Sequence, residues 1–240
     1  MRCFVVEYLT SSFARGCVIT ADTFVHQIAR DTASSLIEIV SFSTGADFSI
    51  RLPVRGFAHH SRFVYASEFQ KQQNNQCSKF SDLAELALQI KAVRAKFDIA
   101  FVDPWHDVKD SFHLIEIALT RLRLGATLVM HDCHPRNAEL RSTSVPEIFS
   151  QPWCGSTWAG WSLLTQSLSQ GFSWMTIDAD YGIGVLKIPE TWVQRRRLLR
   201  HVRSLSQRWS SGDLPMPDWS SDPLHLHLVT PTDPLVGTWT

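Results

Sequence analysis

Residues 97–135 read FDIAFVDPWHDVKDSFHLIEIALTRLRLGATLVMHDCHP. Ile99, Ala100, Phe101 and Val102 form a short apolar run that stops at Asp103 and Pro104. A run of this length is too short for a helix and predicts a strand buried on both faces. Val108, Phe112, Ile115, Leu119 and Leu122 then recur at helical spacing, and Gly125 stands where a helix C-cap belongs. A second apolar run, 126–130, ends at His131 and Asp132. Strand, crossover helix and strand make a right-handed parallel βαβ unit. Both strands finish in acids at their carboxyl ends, the edge where open α/β sheets bind ligands.

Working back from this unit, Ser81 is a candidate N-cap, and Leu83, Leu86, Ile90, Val93 and Phe97 give a helical stripe. Residues 62–66 (RFVYA) predict a strand with Glu68 just beyond it. An acid there can hold a ribose diol, and the plainer reading is a solvated loop acid. Residues 35–40 (SLIEIV) predict the preceding strand, followed by the small-residue loop 41–45 (SFSTG). A strand, such a loop and then a helix would aim backbone N–H groups at a ligand, although an ordinary βα turn has the same look. Asp22 is a candidate N-cap for a helix through Thr32, with Phe24, Val25 and Ile28 inward. Residues 1–22 have no clear period.

Beyond Asp132 the chain from 135 to 155 is irregular, as expected of a lid or substrate wall leaving the sheet edge. Trp158, Trp161, Leu164 and Leu168 mark a helix that Gly171 ends. Two strands, 174–177 and 183–188, flank the turn 178–181. So short a connection forces an antiparallel hairpin. The expected class is therefore α/β, a doubly wound, mainly parallel, seven-stranded sheet with a C-terminal antiparallel hairpin.

Three segments follow: an α/β domain at 1–190, a basic amphipathic helix at 191–210 and a Pro-rich tail at 211–240. The helix carries Leu198, Leu199, Val202 and Leu205 on one stripe, with Arg195, Arg196, Arg197, Arg200, Arg203 and Arg208 around it. A solvated or packed helix face is the plainer reading, and an RNA contact the sharper one. In the tail His225 and His227 alternate, a weak pattern for a metal site.

Lys+Arg and Asp+Glu both number 23, which gives no overall pull toward nucleic acid. Hydrophobic residues make up 44% of the chain, as in globular proteins. The five cysteines form no CxxC pair, so a reduced, cytoplasmic setting is expected rather than a disulfide framework. No apolar run approaches the ~20 residues needed to cross a bilayer. The expected partner is a small molecule, and a homo-oligomer is compatible with the sequence.

FDIAFVDPWH, LGATLVMHDCHP, PWCGSTW and IDADYGIGVLKI, in that order after a strand–SxxxG loop, resemble the class I S-adenosylmethionine-dependent methyltransferases. The likeness is greatest to a bacterial small-molecule group with "IDGxH", "HDC", "WxGDVW" and "DTDYGVGV" patterns, and it covers about 35–188. Residues 38–45 (EIVSFSTG) are similar to that family's cofactor loop, with Val40 in place of its first glycine; Pro104 and Ser156 also depart from the pattern.

The resemblance implies methyl transfer from S-adenosylmethionine to a hydroxyl or amine of a small molecule, a sugar or secondary metabolite. It implies cofactor contacts at Glu38, Ser41, Gly45, Glu68 and Asp103. A hydroxyl acceptor needs a base, and His106 and His131, with Asp132 beside them, are the expected catalytic residues ahead of His134. Some of the wider class hold magnesium on acids at these strand ends, which here would be Asp103 and Asp132, with His131 counting against it. The alternative is a protein with the methyltransferase fold that has lost or repurposed the cofactor site.

Overall fold

The computed structural model describes residues 20–31, 37–43, 58–65, 78–80, 83–94, 96–104, 106–144, 152–168, 171–219 and 226–237, and in the three strands between 37 and 80 it describes the backbone alone. The elements in chain order are α1 (Ala21–Asp31), β1 (Ile37–Ser43), β2 (Ala58–Tyr65), β3 (Ser78–Phe80), α2 (Leu83–Ala92), β4 (Phe97–Asp103), α3 (Val108–Arg121), β5 (Leu122–Met130), α4 (Thr157–Ser167), β6 (Ser173–Ile177), β7 (Ile183–Lys187), α5 (Trp192–Ser210), β8 (Leu228–Val229) and α6 (Pro234–Gly237).

Among the described residues, eight strands lie in one sheet, ordered β3-β2-β1-β4-β5-β7-β6-β8. β1 to β5 pair in parallel, and β7 runs antiparallel to both β5 and β6. The expected parallel sheet closed by a hairpin is present. The short β8, from the Pro-rich segment, adds an edge strand parallel to β6.

The central strands are buried on both faces, and their side chains divide with the period of two that a pleated strand dictates. Ile99 and Phe101 of β4, Val129 of β5 and Val185 of β7 join Phe24, Val25 and Ile28 of α1 in one core. Ala100, Val102, Leu128, Met130 and Leu186 face the other way, into the core made with Phe112, Ile115 and Leu119 of α3, Trp161 of α4 and Leu198, Val202 and Leu205 of α5. The arginine helix is thus packed through its leucine stripe. Arg195 donates from Nε to the Leu119 carbonyl at 3.1 Å, and Arg203 from Nε to Glu116 at 2.7 Å.

Two local expectations are corrected. The cap of α1 is Thr20 rather than Asp22: the Thr20 N–H donates to Thr23 Oγ1 at 2.9 Å, and the Thr23 N–H returns to Thr20 Oγ1. Gly125 is not a helix cap. α3 stops at Arg121 because Leu122 turns extended (ψ 143°) and pairs with Phe97. Gly125 lies inside β5 at φ 74°, where the β4–β5 register shifts. A glycine absorbs such an irregularity without steric cost.

α3 begins at Asp107, whose side chain accepts from the backbone N–H groups of Lys109 and Asp110. Burial, reinforced by the neighbouring Asp107 charge, pushes the Asp110 carboxyl up to about 6. The folded state then binds this proton more tightly than the unfolded chain does, so stability falls as pH rises from about 4 through about 6. Asp110→Asn should therefore stabilise the protein at pH 7 by about 1 kcal/mol, after discounting for partial exposure, and should give no gain below pH 4. Urea melts of both proteins at the two pH values measure this difference.

Candidate functional site

The site lies at the carboxyl edge, where β4 and β5 end. After Asp103 the chain makes a tight turn in which the His106 N–H donates to the Pro104 carbonyl at 2.8 Å. His106 then sits at φ 47°, in the left-handed region. Its carbonyl is gripped by the start of α4: the Ser156 N–H donates to it at 2.8 Å. A Cβ on Gly155 would stand 2.1 Å from that oxygen, so only glycine fits. Trp153 meets the His106 ring edge-on, with centroids 4.6 Å apart.

β5 is extended by a hydrogen bond from the His131 N–H to the Val102 carbonyl, and the chain then turns at Asp132 (φ 59°). Cys133 and His134 donate their N–H groups to the carbonyls of Gly182 and Tyr181, at 2.9 and 2.8 Å. This fastens the loop after β5 to the β6–β7 turn. Asp180 (φ 48°) and Tyr181 (φ 60°) are left-handed as well. Four non-glycine residues in this sparsely populated conformation surround one spot, the kind of strain that concentrates at functional sites.

At that spot His131 stands among three carboxylates. Its Nδ1 is 3.3 Å from Asp132 Oδ1 and 3.6 Å from Asp103 Oδ1, and its Nε2 is 3.1 Å from Asp180 Oδ2. Asp132, 3% exposed, turns its other oxygen toward His106 Nε2 at 3.3 Å. Burial alone would lower the His131 pKa. The Asp132 charge and hydrogen bonds to Asp103, Asp132 and Asp180 outweigh it and hold the ring's pKa well above its ordinary value. For Asp180, burial is outweighed by His131 and by the Ala21 N–H, which donates to Oδ2 at 2.8 Å, so its carboxyl is held below the usual range. Burial pushes the thiols of Cys133 and Cys154 far up, which leaves neither a reactive thiolate at neutral pH.

Alongside lies a cavity of about 450 Å³ walled by His134, Arg136, Asn137, Asp178, Asp180 and Tyr181. Arg136 forms a two-pronged pair with Asp178, whose Oδ1 is also 3.4 Å from His134 Nδ1.

The structure thus brings together Asp103, His106, His131 and Asp132, and sets His134 on the neighbouring wall. It does not bring Glu38 to them. Ser43 pairs with Asp103, whereas Glu38 pairs with His59 near the other end of β1, roughly 16 Å away at about 3.3 Å per residue. Ser41 pairs with Phe101, and Val40 with Ala100, inside the strand. Gly45, Glu68 and His225 lie outside the described residues. Asp178, Asp180 and Tyr181 were read from sequence as turn residues only. Two acids in a turn at the strand-end edge were the available signal.

No family model and no curated protein matches the sequence. Among solved structures, the chain is similar to a candidate caffeoyl-CoA O-methyltransferase from Staphylococcus aureus, at 13% identity and TM-score 0.51, over 76% of this chain and 91% of that one. An O-methyltransferase from Bacillus cereus in complex with SAH aligns at 15% identity and TM-score 0.47, over 78% and 92%. The O-methyltransferase TomG from Streptomyces achromogenes, involved in tomaymycin synthesis, aligns at 12% and TM-score 0.48, over 79% and 91%. The fold is the class I methyltransferase architecture.

Gly155 and Gly182 carry the clamps. A Cβ on Gly182 (φ 91°) would stand 2.0 Å from the His134 nitrogen. Gly155→Ala and Gly182→Ala should each cost about 2–4 kcal/mol, because a forbidden φ and a backbone clash coincide. Gly212→Ala, also at positive φ but with nothing within 4 Å, should cost about 1 kcal/mol. Denaturation midpoints of the three variants rank these effects.

Proposed function

We propose that the chain catalyses methyl transfer from S-adenosylmethionine to a hydroxyl of a small molecule. The observation that carries this reading is the coincidence of two things at one sheet edge. The strand order reverses between β1 and β4, the crevice where open α/β sheets take nucleotides, and Asp103 at the end of β4 pairs there with Ser43. Immediately beside it stands the strained cluster of His106, His131 and Asp132. The fold in common with the Staphylococcus aureus protein supports the same reading.

S-adenosylmethionine bound in the crevice would supply an electrophilic methyl group on a sulfonium centre. The protein's task is to align the acceptor with that methyl, exclude water and take up the acceptor's proton. His106 takes that proton on the ring nitrogen that Asp132 does not hold, and the imidazolium so formed rests through Nε2 against Asp132 Oδ2. His131, already surrounded by acids on both ring nitrogens, serves as a fixed positive centre or ligand rather than as the base. Arg136, Asn137 and Tyr181 offer the acceptor polar contacts in the adjoining cavity. The two carboxylates of Asp103 and Asp132 suit magnesium, whereas the imidazole between them does not.

A second reading, a methyltransferase fold without the transfer reaction, is supported by Val40, Pro104 and Ser156 at positions where the family pattern differs. An RNA substrate is less favoured, since Arg195 and Arg203 of α5 are engaged within the fold.

Calorimetry with S-adenosylmethionine separates the first two readings. Binding with micromolar affinity is expected; no heat and no thermal shift at millimolar cofactor would leave only the fold. Across a panel of hydroxylated acceptors, His106→Gln should lower turnover by about 10²–10⁴-fold while leaving cofactor affinity within about twofold.

A further inference from the structure

The cavity of about 450 Å³ has two walls, and the chain that follows α5 holds both. One wall is the loop after β5, with His134, Arg136, Asn137 and Leu140; the other is the β6–β7 turn, with Asp178 and Tyr181.

Trp219 lies against the first wall. Its ring stacks on the His134 imidazole, with centroids 4.9 Å apart and planes 28° from parallel. The guanidinium carbon of Arg141 stands 4.1 Å from the centre of the same indole. Trp158, in the first turn of α4, meets it edge-on at 5.1 Å. Ring stacking and the attraction of a guanidinium for an indole face fix side chains that would otherwise turn into water. Arg141 uses that fixed position. Its Nη1 donates to the carbonyls of Pro135 and Arg136, at 3.2 and 3.3 Å, and so ties down the backbone that carries Arg136 and Asn137.

The second wall is held from β8. The Val229 carbonyl accepts from the Asp178 N–H at 2.8 Å, and the His227 carbonyl from the Thr176 N–H at 3.3 Å. His227 is itself stacked on Trp174, with centroids 4.5 Å apart. The two attachments differ in kind: one is made of rings and a guanidinium, the other of ladder hydrogen bonds. A Pro-rich segment orders only where it is tied down, and this one is tied at both sides of one hollow.

We propose that the chain after α5 completes the acceptor site, with Trp219 the positioning residue for the wall of His134, Arg136 and Asn137. This rests on the reading of the cavity as the place of the acceptor. Trp219 acts on the wall through His134 and Arg141, whereas the crevice proposed for the cofactor is built between β1 and β4. Loss of the indole therefore weakens acceptor binding and spares cofactor binding.

The test compares Trp219→Ala and Trp219→Phe with wild type in the full chain. Amide hydrogen exchange reports on the wall with no ligand present. The N–H groups of Leu140 and Arg141, bonded to the carbonyls of Asn137 and Ala138, should exchange about tenfold faster in Trp219→Ala, with α3 unchanged, and within about twofold of wild type in Trp219→Phe. Calorimetry then titrates each protein with phenol, catechol and methyl glucoside, and separately with S-adenosylmethionine. Affinity for the acceptor that binds best should fall about tenfold in Trp219→Ala and recover in Trp219→Phe, while cofactor affinity stays within about twofold. Where transfer is seen, the acceptor KM should rise by the same factor and kcat should hold. Arg141→Gln, which removes the guanidinium and keeps the indole, should reproduce both effects, and it decides the matter where Trp219→Ala does not fold. Unchanged exchange, or faster exchange with acceptor affinity intact, overturns the proposal, as does failure of all three compounds to bind wild type. Acceptor binding without methyl transfer would sink the proposed reaction and leave this role of Trp219 standing.

Discussion

Two backbone hydrogen bonds hold the site together: Cys133 to the Gly182 carbonyl and His134 to the Tyr181 carbonyl. They join the loop leaving β5 to the turn between β6 and β7, elements that the chain makes some fifty residues apart. Without that join, Asp180 has no fixed relation to His131, and the imidazole loses the carboxylate on one of its two nitrogens. The contact is close enough that position 182 admits no Cβ. Gly184, two residues on, packs with equal intimacy, since a Cβ there would stand 2.7 Å from Cys133 Sγ. The antiparallel hairpin therefore does more than close the sheet. It delivers a carboxylate to the end of a parallel strand.

Burying that much charge is costly unless each group is answered. Here each one is. His131 lies between acids on both sides, Asp180 accepts from the first turn of α1, and Asp132 is shared between two imidazoles. The left-handed conformations of His106, Asp132, Asp180 and Tyr181 each cost roughly 1 kcal/mol or more. The surrounding cores, continuous on both faces of β4 and β5, offset that strain. α1 contributes to both accounts, since Phe24, Val25 and Ile28 pack on one face of the sheet while its N-terminus holds Asp180.

The central βαβ unit was legible because its signals are local: two apolar runs that end in acids, and a 3.6-residue stripe between them. The hairpin was legible for the same reason, a turn too short for a crossover. The extent of β5 was not. Leu122, Arg123 and Leu124 look like the end of a helix, and only the pairing of Leu122 with Phe97, a contact across the sheet, makes them strand. β8 was hidden by the prolines around it and is held by ladder bonds to β6. At the site, Asp103, His106, His131 and Asp132 could be named from the strand ends. Asp180 could not be given a role, because its partner is defined by tertiary contact and its turn sequence is explained equally well by loop chemistry.

The same contrast decides how the arginine helix is to be understood. From composition, six arginines on one helix point to a polyanion. In the fold, Arg195 is half-buried on a carbonyl of α3, Arg203 pairs with Glu116 at the surface, and Arg196 lies over the Trp192 ring. Long guanidinium side chains here cover apolar surface and satisfy the last carbonyls of a neighbouring helix, a structural use that needs no ligand. Charge on this protein becomes chemically telling only where it is buried and mutually opposed, at the strand ends. The acids gathered around one imidazole there, and not the exposed basic face, are what a ligand would have to meet.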